Sequence, residues 1–430
     1  MVQLVPEREL VGFFLVGGWL GYVAYWLEWY RKPFWVYAVL VAKMFAAWAF
    51  GWLYAHYYCH GDTLKAYLTA GRLAHYLWQD PVDGVALLFR EFSSSWERRG
   101  WTLFWRDPQL YGYDYEWSEP SNYLFYRLLV PLYAAAGGSY YGVQGLVALV
   151  SGLLGYAAYE QWRRVAALPR RFWVVWFLWP SALFWGSGAL RDSWALPAML
   201  YLAGAIAEVG RGDDLSRLTT LRRWSAKLFL PMGCAALVAG LRLEALPVAI
   251  GAGLLYRGGR SLWVWAAALL GGVAVLGLWA GPWAYRYRLE ALDPGLHPEL
   301  NEASVFLLTY RPTFWGSLVG WLQAVWPGLM GPFPWQLHKP LVALYGLEAW
   351  TGTALIGWAW VRALRQGSFT PPALLLGLLG LFVVGLVAMA MPYWGTLARQ
   401  RLYGLYWIGL GLGISFQQGS ENRQDTLRQP

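Results

Sequence analysis

Apolar runs of about 20 residues recur along the whole chain, each long enough to cross a hydrocarbon core of about 30 Å as a helix. The pattern predicts spans over about 9–29, 34–54, 140–160, 172–189, 193–208, 228–256, 261–281, 340–361, 371–391 and 402–416. The run at 228–256 carries Arg242 and Glu244 at its centre, so it reads either as one span or as a hairpin broken at that point. Two further stretches, 123–137 and 316–336, are short or interrupted by Pro and Gly, and read as re-entrant or interfacial helices. A transmembrane barrel would show alternating segments of about ten residues instead. The predicted fold is an all-α polytopic transmembrane bundle of about 10–12 spans, forming one domain over residues 1–416 and followed by a polar tail at 417–430.

The polar segments set the orientation. "EQWRRVAALPRR" (160–171), "RGDDLSRLTTLRRWSAK" (211–227), "YRGGR" (256–260) and "VRALRQ" (361–366) are short and basic, which places them in the cytoplasm, together with "RK" at 31–32. The tail "QQGSENRQDTLRQP" reads as disordered and cytoplasmic. Two long loops, about 55–122 and 282–315, then face the other side. Both mix acids with aromatic residues, and the first holds an amphipathic piece, "TLKAYLTAGRLAHYLWQ". This assignment favours the broken hairpin at 228–256, because a single span would put the basic loops "YRGGR" and "VRALRQ" outside.

Composition fits this picture. Of 430 residues, 58% are hydrophobic and 14% charged, and the 31 Trp and 28 Tyr suit aromatic belts at the two interfaces. The net charge of +9 reports cytoplasmic anchoring and not nucleic-acid binding. The two cysteines, Cys59 in a polar loop and Cys234 in an apolar run, predict neither a disulfide nor a thiolate metal site. The N-terminus "MVQLVPEREL" lacks a basic n-region and reads as a retained first helix.

Candidate chemistry gathers at the outer ends of the apolar runs. In this topology Asp62, Arg191, Asp192, Arg242, Glu244, Arg311, Arg399 and Arg401 share the non-cytoplasmic side. Arginines beside apolar walls suit a phosphate or pyrophosphate, because the guanidinium fork matches phosphate oxygens. Neighbouring acids, here Asp62, Asp192 and Glu244, could take a proton from a hydroxyl nucleophile. Outer aromatic stretches such as "YGYDYEWSEPSNY" and "GPFPWQ" offer flat faces for sugar rings, or simply an interfacial belt. Each charged residue also has a plain structural reading. Asp62 reads as a helix cap, Arg191-Asp192 as a satisfied pair at a helix break, and Arg242 and Glu244 as a hairpin tip. Arg311 reads as fixing the turn before Pro312, and Arg399 and Arg401 as snorkelling anchors. His60 and His75 read as loop and helix-face residues, and no HExxH, P-loop or GxSxG pattern is present.

Four patches, "HGDTLKAY" (60–67), "PSALFWGSGALRDS" (180–193), "GPFPWQ" (331–336) and "GTLARQR" (395–401), resemble a loose group of bacterial multispanning proteins. That group is related to the polysaccharide polymerases of surface-glycan pathways and to GT-C-type glycosyltransferases. The resemblance implies an acid in the first outer loop, for which Asp62 stands in position with Asp114, Glu116 and Glu119 nearby. Gly61 stands where GT-C enzymes carry a second acid, which argues against metal dependence. The related polymerases and ligases rely on arginines without a metal. Their mid-chain motif often has Lys before the Asp, and Arg191 keeps that charge here. "RLEALPVAIGAG" (242–253) also has the Arg-x10-Gly spacing found in some O-antigen polymerases.

The expected function is therefore transfer or polymerisation of sugars carried on a polyprenyl phosphate or pyrophosphate, at the periplasmic face of a bacterial inner membrane. Membrane lipid, a polyprenyl-linked sugar donor and a glycan or other hydroxyl acceptor are the expected partners, with no nucleic acid, cofactor or metal. A transporter or flippase of a lipid-linked or anionic substrate is the alternative. It wants polar groups in mid-span, of which Lys43 is the clearest. A non-catalytic subunit of an envelope complex is the third reading.

Overall fold

The computed structural model describes residues 5–29, 31–58, 61–89, 120–169, 171–209, 221–259, 261–293, 305–306, 308–337 and 339–428. Its helices are α1 (Pro6–Trp29), α2 (Phe34–Trp52), α3 (Asp62–Gln79), α4 (Pro81–Phe89), α5 (Pro120–Ala135) and α6 (Tyr140–Ala166). They continue with α7 (Phe172–Leu178), α8 (Pro180–Trp185), α9 (Arg191–Glu208), α10 (Leu221–Leu241), α11 (Ala245–Gly258) and α12 (Leu262–Val275). The last six are α13 (Gly281–Ala291), α14 (Phe314–Met330), α15 (Pro340–Arg365), α16 (Pro371–Ala390), α17 (Trp394–Gln400) and α18 (Leu402–Arg428). Among the described residues there is no strand, and Val305 and Tyr393 form an isolated antiparallel bridge. Five helical segments there are long and apolar enough to cross a membrane: Pro6–Glu28, Phe34–Tyr58, Tyr140–Ala166, Leu262–Ala291 and Pro371–Ala390. The protein is thus all-helical with the segments of a membrane protein.

The chain divides into two compact units. The first comprises Met1–Tyr156, Leu183–Ala198 and Gly233–Leu246. Its core joins Met44 and Ala47 of α2, Leu129 of α5, Val143 and Val147 of α6, and Trp194 of α9. The amphipathic piece read at 63–79 is α3, which buries Thr63, Leu64, Ala66, Tyr67, Ala70 and Leu73 on one face and packs against α5. Glu9 of α1 closes the start of α6. Its carboxylate accepts hydrogen bonds from Ser139 Oγ (2.7 Å) and from the Tyr140 and Tyr141 amides (3.0 and 2.9 Å), placing negative charge at the positive end of that helix.

The second unit comprises Ala157–Ala182, Met199–Met232 and Pro247–Pro430. Here α16 and α18 lie backbone to backbone. A Cβ on Gly404 would run into the Gly380 carbonyl, and one on Gly411 into that of Ala373. Small residues at these crossings let dispersion contacts hold helices that hydrocarbon solvent does not drive together.

Two expectations change. The span read at 172–189 is two short helices, because Pro180 forces Trp179 out of the helical region (φ −60°, ψ 124°) and ends α7 there. The tail read as disordered continues α18 to Arg428, since its Gln, Glu, Arg and Leu residues are good helix formers and no proline interrupts them before Pro430. The run 228–256 breaks at its charged centre, as the favoured reading has it: α10 ends at Leu241 and α11 starts at Ala245, with turn bonds from the Ala245 and Leu246 amides to the Arg242 and Leu243 carbonyls.

Candidate functional site

In the first unit the segment "WGSGALRDS" (185–193) links α8 to α9, and its polar backbone is satisfied from several helices. Lys43 Nζ of α2 and Ser151 Oγ of α6 both donate to the Gly186 carbonyl, each at 2.7 Å. Gln144 Oε1, two turns before Ser151 on α6, accepts from the Ala189 amide at 2.7 Å. Ser193 Oγ donates to the Gly188 carbonyl at 2.6 Å. Gly188 is tight as well, since a Cβ there would enter the Phe50 ring. Lys43, the lone cation of its span, therefore serves to hold a break in the backbone.

This pinned break sets the two residues that open α9. Arg191 is half-buried, and its Nη1 donates to Ser121 Oγ in the first turn of α5. Asp192 is 4% exposed, and its carboxylate receives Arg242 in a fork: Nε to Oδ1 at 2.8 Å and Nη2 to Oδ2 at 3.1 Å. Each charge lies at the helix end that favours it, the anion in the first turn of α9 and the cation just past the last residue of α10. Arg242 Nη1 also reaches Glu244 Oε1 at 3.3 Å, and the Glu244 side chain is 62% exposed. With both oxygens held by one guanidinium, Asp192 is suited to orienting Arg242 more than to accepting a proton.

Asp62 is exposed in the first turn of α3. Its neighbour Gly61 has φ 123°, a conformation side chains rarely adopt, and a Cβ there would meet the Tyr54 ring. The missing second acid thus has a steric cause. Just beyond, Tyr67 donates to the Gly138 carbonyl at 2.7 Å, and burial pushes its phenol well above the ordinary value, with Tyr133 and Glu9 adding to the effect. Asp114, Glu116, Glu119, Cys59 and His60 lie outside the described residues.

The other three candidate arginines belong to the second unit. Arg311 is exposed in the turn before α14, where Thr313 caps the helix by accepting from the Gly316 amide at 3.1 Å. Arg399 is half-buried in the last turn of α17. Arg401 is 1% exposed, which excludes the snorkelling reading. Its Nη1 donates to the Leu329 carbonyl at 3.2 Å, near the end of α14, and its guanidinium lies 4.4 Å from the Tyr345 ring centroid. That position satisfies an orphan carbonyl at a helix C-terminus and gains a cation–π contact.

Sequence reasoning singled out Arg191, Asp192, Arg242 and Glu244 but not the residues that hold them: Ser121, Gln144 and Ser151. The available signal was the spacing of Gln144 and Ser151, seven apart on one face of an apolar helix. Among the described residues no group of three or more His, Cys, Asp or Glu is placed to hold a metal ion. No family model, curated protein or solved structure matches the chain.

Proposed function

We propose that the protein is a glycosyltransferase or glycan polymerase of the bacterial inner membrane, a polytopic bundle of about 10–12 spans acting at the periplasmic face on sugars linked to polyprenyl phosphate or pyrophosphate. The observation that carries this reading is the start of α9, which presents one arginine and fixes another. Arg191 stands half-buried on a pinned backbone, and the next residue, Asp192, holds Arg242 by both carboxylate oxygens. Rigid guanidinium groups of this kind bind phosphate and stabilise charge on a departing phosphate without reorganising.

In the proposed reaction the acceptor hydroxyl oxygen attacks the anomeric carbon of the donor sugar, and the bond from that carbon to the phosphate oxygen breaks. The hydroxyl proton passes to Asp62, the exposed acid at the start of α3, with Glu244 as the second candidate. The polyprenyl phosphate or pyrophosphate leaves on Arg191, with Arg242 as a further phosphate ligand. Asp192 orients Arg242. Arg401 was read as a phosphate ligand too, but its inward contacts suit it to anchoring the end of α14 behind Arg399.

The transporter alternative wants several polar groups in mid-span, and the clearest of the few, Lys43, is taken up by the Gly186 carbonyl. Purified protein in liposomes, given a radiolabelled polyprenyl-phosphate sugar and an acceptor glycan, tests the proposal. Label joined to the acceptor supports it. Label that crosses the bilayer while still on its lipid identifies a flippase and overturns it.

A further inference from the structure

The second unit contains an almost wholly apolar cavity of about 330 Å³, bounded by α7, α15 and α18. Phe172, Trp179, Trp358, Tyr406, Gly409 and Phe416 are among its walls. The wall has a defined polarity along its length. Trp179 packs on Gly352 of α15 at one end, and Phe172 packs on Gly413 of α18 at the other. Beyond the Phe172 end come positive charges from two helices. Arg171 is exposed at the N-cap of α7, and α15 finishes with Arg362 and Arg365 in its last turn. The Arg362 guanidinium stands 5.3 Å from the ring centroid of Trp358, itself part of the cavity wall.

Two of its helices carry apolar runs read from the sequence as spans, 340–361 and 402–416, and hydrocarbon is the solvent of such a surface, so an open apolar slot there fills with a lipid chain and not with water. The charge at its rim decides whose chain. A zwitterionic headgroup gains little from two arginines, whereas an anionic phosphate diester gains charge-assisted hydrogen bonds from each. Both arginines belong to the short basic segments assigned to the cytoplasmic side, the leaflet whose anionic lipids attract juxtamembrane basic residues. We propose that this cavity is a binding site for one acyl chain of an anionic glycerophospholipid of the cytoplasmic leaflet, with its headgroup on Arg171 and Arg362. None of the candidate sugar-transfer residues lines the cavity, and the proposal stands whether or not that function does.

Gly409 gives the sharpest test. It lines the cavity, and a Cβ built there meets nothing within 4 Å, so a side chain at this position starts out into the lipid's space. The protein is reconstituted in nanodiscs holding equal amounts of palmitoyl-oleoyl phosphatidylglycerol and phosphatidylcholine, and bound lipid is counted by native mass spectrometry after release. Wild type retains one phosphatidylglycerol at about tenfold preference, the ratio that 1.4 kcal/mol represents. Gly409→Leu loses that lipid at least tenfold while its melting temperature holds or rises. Arg171→Gln with Arg362→Gln keeps a bound lipid but brings the preference to about one. Equal retention of both lipids by wild type, or unchanged phosphatidylglycerol in Gly409→Leu, overturns the proposal. So does undecaprenyl phosphate, added at equal amount, replacing phosphatidylglycerol in wild type but not in Gly409→Leu; that result would assign the slot to a polyprenyl chain.

Discussion

Arg242 meets Asp192 with two hydrogen bonds, 2.8 and 3.1 Å, joining the start of one helix to the end of another 50 residues away in sequence. The pair is nearly dry, with side chains 11% and 6% exposed. Removing one member takes the fork from a nearly buried charge, which costs up to about 3–5 kcal/mol, whereas replacing both with apolar groups is close to neutral. Asp192→Ala should therefore lower the detergent melting temperature sharply, and Asp192→Leu combined with Arg242→Met should recover most of the loss. A double variant as unstable as the single one would show that the pair is not the source of the effect.

The break before α9 depends on a glycine. Gly188→Ala drives its methyl into the Phe50 ring and should cost about 1–3 kcal/mol, the usual range for overpacking. Phe50→Leu in the same chain removes the obstructing ring edge and should return part of that stability. Thermal unfolding of the two variants checks it. A further drop on adding Phe50→Leu would mean that the alanine acts elsewhere.

Much of this arrangement can be read in the sequence, and the reasons for the remainder are physical. The amphipathic spacing of Thr63, Ala66, Tyr67 and Ala70 announces α3, and the charges at Arg242 and Glu244 announce the end of α10. Both are local signals. The partner of Asp192 is not local, and Arg191 beside it in sequence looked the natural candidate, yet adjacent residues on a helix do not face each other. Arg399 and Arg401 are two residues apart and look alike in sequence. Only the fold turns Arg401 inward to Leu329 and Tyr345. Pro180 did signal a stop, but hydropathy summed across it merged α7 and α8 into one span.

Topology carries the proposed site, because Asp62 and Glu244 must reach the same compartment, where the basic segments also put Arg311. In a background with Cys59 and Cys234 replaced by Ser, single cysteines at these three exposed positions should react with an impermeant thiol reagent in intact cells. Cysteines at Arg163 and Arg257, in the basic segments, should react only after the membrane is opened. Protection at Arg311 with labelling at Asp62 would show that α10 and α11 together cross the membrane once.

Gly61 cannot be exchanged for an acid without strain at φ 123° and a collision with Tyr54. The first loop therefore offers Asp62 alone at the start of α3, and sugar transfer should proceed unchanged in excess EDTA. Loss of activity in chelator that Mg²⁺ or Mn²⁺ restores would make Asp62 a metal ligand.

The most direct test of the whole account is the transfer rate of purified Arg191→Lys with a radiolabelled polyprenyl-phosphate sugar. Lysine keeps the charge and loses the fork. Losing one charge-assisted bond of about 1.5–3 kcal/mol that forms mainly in the transition state slows transfer by roughly 10- to 150-fold. The account predicts that loss with only a small change in melting temperature, since the Ser121 contact alone is altered while Asp192 keeps Arg242 and the break keeps Lys43, Gln144 and Ser151. Transfer at the wild-type rate by Arg191→Lys would contradict it.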